Sequence, residues 1–289
     1  MWIAYAFLSA VFAGVTSVLA KCGIRKTDAT VATAIRTGIV LVFAWAMVLI
    51  VGSQSALPET DGRSFLLLIL SGLATGGSWL CYFKALQLGD IHRVVPVDKS
   101  STVLTFILAA IFFSEFTWFG LAGIVLIAVG TLLMLEKKDT EHSEEKAEGR
   151  GWFVYAAGSA LFASLTAILG KIGISDVESN LGTAIRTGVV LIMAWMMVLV
   201  TGKQKELHGI GRKELGFIGL SGLATGASWL CYYKALQDGP ASVVVPIDKL
   251  SIVVTVLVSS LVFGEKLTKS SVAGLMLIVG GTMLMLPGH

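Results

Sequence analysis

Residues 71–87 read Ser71-Gly-Leu-Ala-Thr-Gly-Gly-Ser-Trp-Leu-Cys-Tyr-Phe-Lys-Ala-Leu-Gln87, and the chain returns to almost the same words at Ser221-Gly-Leu-Ala-Thr-Gly-Ala-Ser-Trp-Leu-Cys-Tyr-Tyr-Lys-Ala-Leu-Gln237. Outward from this pair, Thr33–Gly38 recurs as Thr183–Gly188 and Pro96-Val-Asp-Lys99 as Pro246-Ile-Asp-Lys249. The spacing stays constant as far as Glu115 and Glu265 and then slips by one residue. Shared hydrophobicity would not reproduce polar and aromatic residues in register, so the chain is an internal duplication. Its parts are 1–135, a charged linker at 136–150 (EKKDTEHSEEKAEGR), and 151–289.

Of 289 residues, 55% are hydrophobic and 14% charged, and mean hydropathy is +0.82. A soluble domain holds about 45–50% apolar and about 25% charged residues. The composition excludes a soluble enzyme, a disordered chain and a disulfide scaffold. Apolar runs at Trp2–Ala20, Ala29–Val51, Ser64–Leu88, Ile91–Phe113 and Phe119–Leu135 are followed by Trp152–Gly170, Ser179–Thr201, Glu214–Gln237, Ala241–Phe263 and Ser271–Leu286. They are apolar all round and lack period-2 alternation, so they predict transmembrane helices rather than barrel strands. The expected fold is all-α, with ten transmembrane helices as two five-helix repeats. An odd number of spans per repeat turns the second copy upside down, the arrangement of alternating-access carriers with a midplane site.

Thirteen of the 22 Lys and Arg fall on one side of this topology and only Arg63 lies in a loop on the other. The positive-inside rule therefore predicts a multi-pass protein of the plasma (inner) membrane, with both termini outside and the linker cytoplasmic. A net charge of +3 reports this topology and not nucleic-acid binding. Cys22, Cys81 and Cys231 form no C-x-x-C motif, and the four His lie in loops or at the terminus, so neither a metal site nor a cofactor is expected.

Ionisable residues at membrane depth are expensive, and here they come in duplicate: Arg36/Arg186, Lys84/Lys234, Asp98/Asp248 and Lys99/Lys249. Positive charges dominate, which predicts a cavity for an anion or a carboxylate-bearing metabolite with Arg36 or Arg186 as bidentate clamp. Trp79, Tyr82, Trp229 and Tyr232 are candidates for lining it, or interface anchors. Lys84 and Lys234 stand near span ends, where a lysine can simply snorkel. Asp98 or Asp248 is a candidate proton carrier or a gate with Lys84 or Lys234. Adjacent Asp98 and Lys99 diverge by about 100° on a helix, so one of them serves packing or a neighbour. Pro96 and Pro246 fit either the first turn of a helix or a hinge within a span. Gly72-x-x-x-Gly76 and Gly222-x-x-x-Gly226 suit close helix packing. Glu115 and Glu265 read as interfacial surface residues.

The G-x-A-T-G-x-S-W-L-C-Y-[FY]-K-A-L-Q segment and the P-[VI]-D-K…F-x-E…A-G…G-T run, each present twice, resemble EamA-type members of the drug/metabolite transporter superfamily. The resemblance implies a ten-helix carrier of small metabolites, often amino acids or related solutes, working by alternating access. It also implies cytoplasmic termini, opposite to the charge count. Without a G-x-x-x-x-G-K-[ST] motif, ATP does not drive it directly. The expectation is a secondary exporter or exchanger, not an enzyme, with a proton as candidate coupling ion, functioning as monomer or homodimer in the bilayer. A flippase for a lipid-linked substrate and a non-transporting scaffold are the alternatives.

Overall fold

The computed structural model describes residues 1–23, 27–88, 91–135, 151–263 and 269–286; the linker and Glu265 lie outside them. Within these residues the chain is helical, without strands. The first copy supplies α1 (Trp2–Gly23), α2 (Ala29–Val51), α3 (Gly62–Leu88), α4 (Ile91–Lys99), α5 (Ser101–Phe113) and α6 (Trp118–Leu135). The second supplies α7 (Gly151–Gly173), α8 (Ser179–Val200), α9 (Arg212–Asp238), α10 (Ala241–Lys249), α11 (Ser251–Phe263) and α12 (Lys269–Met285). Six of these, α1 to α3 and α7 to α9, together with Ala241–Ser259 of the joined α10 and α11, are long and apolar enough to cross a bilayer; α6 and α12 are apolar but shorter.

Local signals delimit equivalent helices in the same way. Asp28 caps α2 by accepting from the Thr30 and Val31 amides, and Glu178 caps α8 by accepting from Leu181 N. Beyond the far ends, Gly52 (φ 82°) and Gly202 (φ 69°) take the left-handed conformation that turns the chain out of the helix. Inside, polarity is reversed relative to a soluble protein. Val42, Ile50, Val200 and Leu261 are 71–85% exposed, while Ser9, Ser71, Ser159 and Thr183 are buried. Most buried threonines satisfy themselves by donating one turn back, as Thr37 does to Thr33 O and Thr187 to Thr183 O. An apolar exterior around a hydroxyl-rich interior fits lipid as the surrounding solvent.

The closest packing crosses between the copies: α3 lies on α7, α1 on α9, α2 on α8 and α6 on α12. The two sequence repeats are therefore interleaved rather than set side by side. The seam between α6 and α12 is built on glycine. A Cβ on Gly123 would come within 2.6 Å of Gly281 O and the reverse, and Gly130 and Gly274 meet in the same reciprocal way. Residue numbers rise along one helix as they fall along the other, so these equivalent helices run antiparallel. Gly72 and Gly76 likewise admit Val189 and Met193 of α8, while Gly222 and Gly226 admit Ile39 and Phe43 of α2. The repeated glycines serve close contact.

The two segments expected as single spans, Ile91–Phe113 and Ala241–Phe263, are each divided. Ser100 and Leu250 interrupt them with identical dihedrals (φ −62°, ψ −11°), tightening the turn between α4 and α5 and between α10 and α11. Pro246 is inside α10, the sixth residue of a helix that begins at Ala241, so the first-turn reading of the proline does not describe it. The break comes four residues after the proline, about 14 Å along the segment, near the middle of a bilayer core.

Candidate functional site

At each interrupted helix an aspartate accepts from a serine of the opposite copy, which a serine of the aspartate's own copy supports in turn. Ser159 of α7 donates to Asp98 Oδ1 (2.6 Å), and Ser78 of α3 lies 3.2 Å from the Ser159 hydroxyl and donates to the Ser159 carbonyl (3.1 Å). The equivalent cluster repeats this almost to the decimal. Ser9 of α1 donates to Asp248 Oδ1 (2.7 Å), and Ser228 is 3.2 Å from Ser9 Oγ and donates to the Ser9 carbonyl (3.1 Å). Each triad joins three helices from both copies. Lys99 Nζ comes to 3.7 Å from Asp98 Oδ2 despite the divergence of adjacent residues, because its long chain folds back at the helix end.

The arginines depart from this symmetry. Arg186 is 2% exposed; its Nε donates to Ser71 Oγ (3.2 Å) and its Nη2 to Thr75 Oγ1 (2.6 Å) of α3. Its guanidinium lies over the rings of Tyr233 (4.5 Å) and Trp229 (5.2 Å). Every one of these partners is neutral, and among the described residues no carboxylate comes within ion-pair distance. Arg36 is half-buried and makes no hydrogen bond or ion pair to a described residue. The hydroxyls equivalent to those that hold Arg186 donate in a similar way, Ser221 to Ile218 O and Thr225 to Ser221 O and toward Thr16, but neither accepts from Arg36.

Part of this asymmetry is written in the chain. A Cβ on Gly170 would come within 2.7 Å of Tyr233 Cε1 and 3.2 Å of Ser71 Oγ, so the missing side chain makes room for the ring that covers Arg186. The equivalent positions in the first copy are Ala20 and Phe83.

Polar ties close both ends. At the end that carries Trp2, Lys171 pairs with Glu115 (3.2 Å), donates to the Gly239 carbonyl and lies over the Phe113 ring (5.1 Å). Glu115 also accepts from Ser242 N (2.8 Å), and Gln237 donates to the carbonyls of Ile174 and Val177 (2.7 Å each). At the other end Lys203 pairs with Asp28, and Thr27 donates to Glu214 (2.8 Å). Burial pushes the Asp28 carboxyl up, but hydrogen bonds from Lys203 and Thr30 outweigh it and hold the group below the ordinary carboxylate range.

Both copies match the model of the EamA-like transporter family, over residues 1–136 and 150–286. The chain belongs to the EamA-like transporter family. It is a multi-pass membrane transporter. A curated relative from Sinorhizobium sp, named "Uncharacterized transporter in cobO 3'region", is 44% identical over 137 residues; the match takes in 95% of that protein and 46% of this chain, so the relative is the size of one repeat. A solved structure described as "Crystal structure of protein" superposes with a TM-score of 0.78 at 18% identity, covering 98% of this chain and 95% of the other. That likeness shows a shared fold.

In this EamA chain the residues expected from sequence fall into distinct places. Arg186 and Trp229 meet, but the ring nearest the guanidinium is Tyr233, while Tyr232 packs edge-on against it (5.2 Å between centroids). Trp79 packs with Val31, Ala34, Ala194 and Val198, between the start of α2 and the end of α8, and Tyr82 lies beside Ala85, Val94 and Ala156. Lys84 donates to Gln87, and Lys234 to Gln237 and Asp238, so neither joins an aspartate of the interrupted helices. Glu115, read as a surface residue, is 11% exposed by side chain and is the acid of an end tie. Sequence reading passed over Ser9, Ser78, Ser159, Ser228, Ser71, Thr75 and Tyr233. The serines did carry a signal, since each recurs at the repeat spacing, but serine is common in membrane helices for packing alone.

Proposed function

We propose that this transporter is a ten-span secondary carrier that moves a small carboxylate-bearing metabolite, an amino acid or organic anion, across the plasma membrane by alternating access. The observation that supports this best is Arg186, a buried guanidinium with only neutral partners among the described residues. A buried cation without a counter-ion is unfavourable and strongly attracts a desolvated carboxylate. Arg36 offers the second such charge, Trp229 stands against Arg186, and Tyr232, Trp79 and Tyr82 are the further aromatic side chains this reading assigns to the substrate's path.

In this reading the two arginines take turns. When the carrier faces one side, Arg186 docks on Ser71 and Thr75; when it faces the other, Arg36 docks on Ser221 and Thr225, as antiparallel copies allow. Pro96 and Pro246 weaken the interrupted helices so that they bend. Asp98 and Asp248, with Lys99 and Lys249, couple the motion to a proton, while Lys84 and Lys234 act at the span ends. The excess of basic residues in the loops supports a cytoplasmic linker with both termini outside. Export or exchange is the expected direction.

Proteoliposome flux of amino acids, organic anions, sugar phosphates and amines, with and without a pH gradient, tests this. Carboxylates should be carried, and Arg186→Met and Arg36→Met should each abolish flux. Transport of amines alone would overturn the reading.

A further inference from the structure

Lys99 and Lys249 are equivalent residues of the two copies, yet both line one cavity of about 110 Å³ where the interrupted helices face α6, together with the hydroxyl-bearing Thr102 and Thr131. Neither ammonium is neutralised by a tight ion pair there. Lys99 reaches Asp98 only at 3.7 Å and its side chain is 42% exposed, while Lys249 makes no hydrogen bond or ion pair to a described residue and feels Asp248 and Asp98 only at longer range, alongside the repulsion of Lys99. The two aspartates are turned toward Ser159 and Ser9. Two cations sharing a small space at mid-bilayer depth repel one another unless an anion lies between them.

This cavity does not end at the lysines. Val103, Ile124, Ala128 and Leu132 line it and also line a second space of about 430 Å³ between α5 and α6, whose walls are entirely apolar. That slot reaches the outer surface at Ile111 and Val125, which are 68% and 53% exposed. From Val103 to Ile111 it runs about 12 Å along α5. A cationic pocket therefore continues into an apolar slot that faces lipid.

We infer that the cleft from Lys99 and Lys249 out between α5 and α6 is a binding site for a single-chain, long-chain carboxylate entering from the bilayer. The carboxylate lies between the two ammonium groups and the alkyl chain fills the slot. A short water-soluble anion would leave the slot empty, and an uncharged chain would leave the repulsion between the two lysines unrelieved. A phospholipid fits neither end: its head group stays at the interface, about 14 Å from the lysines, and the inner cavity is small. The site goes beyond the transport reading and stands whether or not the ligand is carried.

A photoreactive diazirine analogue of dodecanoate, applied to the full chain in nanodiscs with peptide mapping of the adducts, tests it. Labelling of α5 and α6 should saturate and be displaced by dodecanoate but not by acetate or dodecanol. K99Q combined with K249Q should reduce labelling about tenfold or more. A128F, which fills the junction of the two spaces and leaves the lysines in place, should do the same, and it decides the matter if the paired variant does not fold. Labelling that never saturates, that dodecanol or phosphatidylglycerol displaces as well as dodecanoate does, or that survives A128F would overturn the proposal. Flux plays no part in the readout, so a failed transport assay leaves this result intact.

Discussion

Replacing Arg186 by methionine separates a substrate-binding arginine from a structural one. Two charge-assisted hydrogen bonds, to Ser71 and Thr75, contribute about 1.5–3 kcal/mol each, and a desolvated cation–π contact about 2 kcal/mol more. Against them stands the desolvation of a guanidinium that is 2% exposed, several kcal/mol even after relaxation. The two sides cancel to within a few kcal/mol. Methionine keeps much of the packing volume and removes both sides at once. It also orphans no donor, because Ser71 already donates to Thr166 O (2.8 Å) and Thr75 to Ser71 O (3.0 Å). Arg186→Met should therefore leave unfolding within about 2 kcal/mol of the parent, on either side, while abolishing flux and the thermal shift induced by a transported carboxylate. Detergent-solubilised protein, melted with and without that ligand, provides both readings. A loss above about 3 kcal/mol with the ligand shift retained would make Arg186 a structural residue and refute the reasoning.

Three further outcomes follow from the same contacts. Gly170→Ala forces the Tyr233 ring away from a Cβ otherwise 2.7 Å distant and should lower stability by about 1–3 kcal/mol and impair flux, whereas Ala20→Gly should do less; melting curves of the two variants compare them. Asp28 is held below its unfolded value of 3.8, so its contribution is complete above that value and is lost as pH falls through the depressed one; Tm measured from pH 6 to pH 3 should drop in the parent and be flatter in Asp28→Asn. Asp98→Asn combined with Asp248→Asn should remove the pH dependence of flux, and an unchanged pH profile in proteoliposomes would eliminate both acids as proton carriers.

How much of this was legible beforehand depends on the range of each interaction. Composition and the recurrence of residues 71–87 at 221–237 carried the fold class, because hydrophobic length and repeat spacing are properties of the chain alone. The pairing of helices between copies was not legible. Asp98 meets Ser159, 61 residues on, and Ser9 meets Asp248, 239 residues on, and nothing local marks either serine as a partner. The end tie between Lys171 and Glu115 was missed for the same reason. The break in α10 fell at Leu250 rather than at Pro246 because a proline ring disturbs the carbonyl four residues before it, and in α10 that carbonyl belongs to the first turn, where the helix absorbs the loss.

A duplicated chain holds one more kind of signal, and it lies where the copies disagree. Perfect copies related by inversion would place Arg36 and Arg186 in matching surroundings in an occluded state. Here Gly170 and Tyr233 stand where the first copy has Ala20 and Phe83, and both changes act on one guanidinium: the glycine admits the ring, and the ring covers the charge. Phenylalanine in place of the tyrosine would still present a π face, but a Cβ at residue 170 would exclude the ring from its present position. On the proposed alternation of the two arginines, the smaller difference, a single methyl group, is the one expected to bias which arginine is docked. If so, Gly170→Ala together with Ala20→Gly should shift the carrier toward its opposite-facing state, read as reversed labelling of cysteines placed at the two ends. Labelling that kept the parent's pattern would show that the bias resides elsewhere.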